Sequence, residues 1–98
     1  MHDPHAKLRD EIFHQVLDGP GESDPAARRE AAADSDVASD LRTLVGKIHQ
    51  HAYTVTDDDV ASLQAVHGDD KMFEIIVAAA LGASRQRLAA GLAALEEA

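Results

Sequence analysis

The chain has 98 residues with no cysteine and no tryptophan, and 18 acidic against 9 basic side chains give it a formal net charge of −9. Without thiols there is no disulfide, thiolate metal site, thiol nucleophile or redox pair. The negative field opposes binding to phosphate backbones and anionic membrane surfaces, which excludes nucleic acid as the expected partner.

A chain this short forms one domain and buries only about 60 to 65% of its unfolded surface, so burial between subunits is the natural supplement to a small core. A single helical domain over 1–98 is expected, with residues 1–3 frayed. The longest apolar run, Ile75–Leu81, is far short of the roughly 20 residues of a membrane span. No basic segment leads into an apolar stretch at the N-terminus, and a cytoplasmic protein with no membrane association is the simplest account.

Asp3-Pro4 is a helix start signal, an N-cap type residue followed by proline at the first helical position. Leu8, Ile12, Val16 and Leu17 continue at helical spacing, and Gly19-Pro20 predicts a left-handed cap and a stop, placing the first helix at about 4–18. Residues 19–24 read as a loop. Ser23-Asp24-Pro25 repeats the start signal before the alanine-rich stretch Ala26–Ala33, read as a short, exposed helix.

Asp34-Ser35-Asp36 predicts the cap of a third helix, whose core stripe is Val37, Leu41, Leu44, Val45, Ile48 and Ala52. Tyr53-Thr54-Val55 favours extended backbone. Thr56 with Asp59 then forms a relative of the capping box, opening a fourth helix with Val60, Leu63 and Val66 on its apolar stripe and Gly68 as its terminator.

The last helix starts at Asp69-Asp70 and has no glycine-proline stop. Continuous from Asp70 to Glu96 it extends about 40 Å, more than a compact domain of this size spans on its own. Leu81, Leu88, Leu92 and Leu95 share one side; Met72, Ile76, Ala79, Ala83, Ala90 and Ala94 lie opposite. Both sides are apolar, so two neighbours are expected, and the alanine side, with Gly82, predicts close approach by a helix of another subunit.

From Lys47 to Leu92, about half the chain, the sequence resembles the carboxymuconolactone decarboxylase and alkylhydroperoxidase D-like superfamily, in particular the C-terminal part of its peroxidase-related members. The resemblance rests on "VTDDDVASL" at Val55–Leu63, the glycine at Gly68, and "DDKMFEIIVAAALGASRQRLAAGL" at Asp69–Leu92. It implies an all-α bundle of four to five helices with a long C-terminal helix, and a tendency to form homo-oligomers. Thiol peroxidases of the family carry Cys-x-x-Cys and a histidine. Counting back from Gly68 puts Tyr53 and Thr56 at the cysteine positions and Val60 at the histidine, so the resemblance carries no peroxidase chemistry here.

His49 and His51 are the nearest histidine pair of the ordered region, but residues two apart on a helix diverge, and no metal site is expected. Asp57, Asp58 and Asp59 read as a first turn that complements the helix dipole rather than as cation ligands. Tyr53 reads as a half-buried plug at a helix junction. Glu74 and Arg85 fall on the leucine side of the last helix, where charges need partners. The expectation is pairing across a subunit interface formed with Leu81, Leu88, Leu92 and Leu95; otherwise both reach water from the edge of the seam.

Two functions compete. The first is a non-catalytic, self-associating module, a homo-oligomer that requires no cofactor and accompanies a protein partner supplying the redox half of a complete family member. The second is a thiol-independent lactone decarboxylase or isomerase-like enzyme, with His49, His51 or His67 as general base, Glu74 as a further acid–base group and Arg85 holding an anionic substrate.

Overall fold

The computed structural model describes residues 5–97, so the start signal at Asp3-Pro4 and the fraying of residues 1–3 lie outside the described residues. Among the described residues the chain is all-α with no strand: α1 (Ala6–Asp18), α2 (Pro25–Ala33), α3 (Arg42–His51), a single 3-10 turn (Ala52–Thr54), α4 (Asp57–His67) and α5 (Asp69–Glu97). No helix among them is long and apolar enough to cross a membrane.

The α5 helix is unbroken through Gly82 and forms the spine. Its 29 residues extend about 44 Å at 1.5 Å per residue, close to the longest molecular dimension of 46 Å. The core lies along its first half, where Met72, Ile75, Ala78 and Ala79 pack against Val37, Leu41, Leu44, Val45 and Ile48. From Ser84 onward the helix is exposed except for the half-buried Leu92.

The alanine-rich α2 is not the exposed helix that composition suggests. Its contact with α5 is the most extensive between any two elements, and Ala31 and Ala32 are buried. Small side chains let the two backbones approach so closely that a Cβ built on Gly82 overlaps the Ala32 carbonyl. The alanine flank of α5 is therefore covered by the chain's own α2 as far as Ala83, with no need for another subunit, while Ala90 and Ala94 further along are exposed.

Local signals explain most boundaries. Asp24 caps α2 by accepting from the Ala26 amide at 2.9 Å, and Pro25 takes the first helical position. At α4, Thr56 Oγ1 accepts from the Asp59 amide while the Asp59 carboxylate accepts from the Thr56 amide, a complete capping box. Asp59 also pairs with Lys47 at 2.8 Å, tying α4 to α3; the Lys47 hydrogen bond, and then the Thr56 amide, hold its carboxyl below the usual range. Thr56→Ala should cost about 1 kcal/mol of unfolding free energy, measured by urea denaturation. Gly68 ends α4 with φ +87°.

Other signals mislead. Gly19 is extended, φ −71° and ψ 168°, rather than left-handed; proline at the next position favours extended backbone before it. Asp34 and Asp36 do not cap the third helix. Both have positive φ, and Asp34 terminates α2 in the left-handed region. Val37 and Leu41 are buried as their spacing suggests, but from a turn that precedes α3 rather than from within it. Ala52 and Val66 are exposed, because the 3-10 turn and the end of α4 lead away from the core.

Arg28 is only 3% exposed, a buried cation with no periodic trace in the sequence. Its guanidinium donates to the Val16 carbonyl at 2.8 Å and the Gly19 carbonyl at 2.6 Å, satisfying acceptors that the end of α1 leaves open. Its Nε has no hydrogen-bond partner among the described residues.

Candidate functional site

The leucine side of α5 is covered by different parts of the chain along its length. At its start, Glu74 accepts hydrogen bonds from the Glu22 amide at 2.9 Å, the Ser23 amide at 2.9 Å and the Ser23 hydroxyl at 2.6 Å. Those contacts fasten the α1–α2 loop to the spine. They also hold the Glu74 carboxyl well below its ordinary 4.5, at about 2, the Ser23 hydroxyl contributing most. Glu74 is thus engaged within its own chain and does not wait at the seam for another subunit's charge.

About two to three turns further on, α1 lies over Leu81 and Arg85. The Arg85 guanidinium stacks over the Phe13 ring at 4.4 Å and reaches Asp10 at 3.4 Å. Beyond that point α1 and α5 leave between them an open apolar groove of about 390 Å³, walled chiefly by Ile12, Phe13, Leu81, Leu88 and Leu92, with Arg9, Asp10 and Arg85 at its rim. Leu88 is 40% and Leu95 61% exposed on the spine, and Leu8 and Ile12 are exposed on α1. Ile12 and Leu88, one from each helix, thus present exposed apolar surface at the groove, of the kind that marks an association surface.

The histidines lie elsewhere. His49 Nε2 donates to the Ala31 carbonyl at 2.7 Å, with its other nitrogen 3.3 Å from the Gln86 side chain, so it packs at the core edge while His51 faces solvent. His51 meets Tyr53 edge to ring, centroids 5.8 Å apart. Tyr53 is 85% exposed and plugs nothing, because the 3-10 turn carries it out of the junction. His67 Nε2 donates to Asp40 Oδ2 at 2.6 Å, beside a smaller cavity of about 240 Å³ lined in part by Lys71, Met72 and Ile75.

None of these histidines lines the groove that holds Arg85. Among the described residues no three His, Asp or Glu side chains converge to hold a metal ion. The groove has two guanidiniums at its rim, of which Arg85 is engaged by a carboxylate and a ring, and a Ser84 hydroxyl with no histidine among the lining residues; its chemistry is apolar contact. No family model, curated protein or solved structure matches the chain.

Proposed function

We propose that this protein is a non-catalytic helical module that works by self-association, with the α1–α5 groove as its interface and a second copy of the same chain as the occupant. The observation that carries the reading is the open apolar groove at the overhanging end of α5. A leucine-striped helix with acidic flanks fits a trough whose rim carries Arg9 and Arg85. The end of α5, with Leu88, Leu92, Leu95, Glu96 and Glu97, is such a helix.

The enzyme reading draws no support from the arrangement. A general base must lie within hydrogen-bond reach of the group it serves, and His49, His51 and His67 are all outside the groove that contains Arg85. The resemblance between Lys47 and Leu92 adds the homo-oligomeric habit of that superfamily to the proposal, and a redox partner is no part of it.

Light scattering tests the reading. The wild-type chain should show twice its 10.4 kDa in the micromolar range, and Leu88→Asp with Leu95→Asp should show a single chain of unchanged helix content. A wild-type mass of one chain throughout that range sinks the proposal.

A further inference from the structure

The geometry points to an antiparallel pairing of the α5 ends in the two copies, on a twofold axis at the level of Ala90. This rests on the self-association reading above and goes beyond it by fixing orientation and register.

Four positions on the exposed end, Arg85, Leu88, Leu92 and Leu95, are spaced three, four and three residues apart. That is the alternation of a two-helix seam. Read backwards, the series is the same, so the stripe is its own complement when one helix is inverted, as a twofold interface requires. Inversion about the level of Ala90 sets Leu88 against the partner's Leu92, and Arg85 against the partner's Leu95.

Charge selects the same orientation. Arg85 stands at one end of the stripe, and Glu96 flanks it at the other. Antiparallel pairing brings each basic end beside the partner's acidic end. Parallel pairing sets like against like, which is unfavourable at interhelical distances.

Small residues supply the third argument. Gly91 is exposed in mid-helix, and a Cβ there would meet nothing within 4 Å. Glycine at such a place costs a helix roughly 1 kcal/mol relative to alanine, and no contact among the described residues accounts for it. In the antiparallel register Gly91 flanks the seam next to the axis and faces the partner's Gly91, with Ala89 facing the partner's Ala89 on the opposite side. Both allow the two backbones to approach closely, and α1 then closes over each flank through Leu8 and Ile12.

The chain has no native cysteine, so single-thiol variants report orientation directly. Ala89→Cys and Leu95→Cys are each treated with a short bismaleimide cross-linker, and the mass of each variant is measured before treatment. Antiparallel pairing predicts that Ala89→Cys is captured as a covalent dimer and that Leu95→Cys is not, because its thiols then lie about 15 Å apart along the axis. Capture of Leu95→Cys, with or without Ala89→Cys, overturns the inference and leaves self-association standing. A dimeric mass with neither variant captured places the contact on another face and also overturns it. A single-chain mass for the wild type removes the underlying reading itself. Gly91→Leu adds a check free of thiols: it should abolish the dimer while preserving helix content, and a dimer that survives it refutes the close approach.

Discussion

Replacing Gly82 by valine should lower the unfolding free energy by about 4 kcal/mol or more. The position is buried within α5, and even a single Cβ there runs into the Ala32 carbonyl. Backbone cannot step aside as a flexible side chain does. The isopropyl group must push α2 off the spine, exposing Ala31, Ala32, Ala79 and Ala83 together and straining the turn at Asp34. Overpacking a tight core costs about 1 to 3 kcal/mol, and loss of a whole helix contact adds to it. A total near 4 kcal/mol or more is a large share of the roughly 5 to 15 kcal/mol available to a domain of this kind. Circular dichroism with urea titration at fixed protein concentration measures it. Gly46 in α3 is the control: nothing lies within 4 Å of a Cβ there, so Gly46→Ala should stabilise by about 1 kcal/mol through helix propensity. A Gly82→Val protein as stable as wild type would show that α2 does not pack as described.

Removal of the Glu74 carboxylate should produce the second large effect. Glu74→Ala leaves the Glu22 and Ser23 amides and the Ser23 hydroxyl without their acceptor and withdraws a negative charge from the neighbourhood of the buried Arg28. With solvent replacing part of what is lost, the cost is about 2 to 3 kcal/mol, or a melting temperature roughly 10 to 20 °C lower. The effect depends on pH with a definite sign. The folded state holds this carboxyl near 2 against an ordinary 4.5, so it contributes stability that is fully present above about 4.5 and lost as pH falls from there towards 2. The difference in urea midpoint between wild type and Glu74→Gln should be wide at pH 6 and shrink across that window. A difference that stays constant down to pH 2.5 would mean the carboxylate is not held by these donors.

The same two sites show what the sequence makes visible. Helix existence and the leucine stripe of α5 are periodic, local properties, and they can be read directly. So can the Thr56–Asp59 box and the Asp24-Pro25 start, whose chemistry is complete within a few residues. The role of α2 is hidden because alanine is equally at home on a helix surface and in a close helix–helix contact, and only the position of Gly82 against it decides. Asp34 and Asp36 mislead because aspartate both caps helix starts and tolerates the left-handed conformation at helix ends. Glu74 and Ser23 are 51 residues apart; a pairing over that distance leaves no pattern in one sequence. Arg28 is silent for the same reason. The candidate groove was half legible: its α5 wall follows from the leucines, while its α1 wall depends on where the α1–α2 loop is fastened.

That fastening makes α1 a beam with two supports. Its C-terminal end is clamped, with Leu17 buried and two carbonyls gripped by Arg28, and its middle rests on the spine where Arg85 reaches Asp10 and stacks over Phe13. A beam held at two points keeps its span, so the width of the trough is set by the core at one support and by a single arginine at the other.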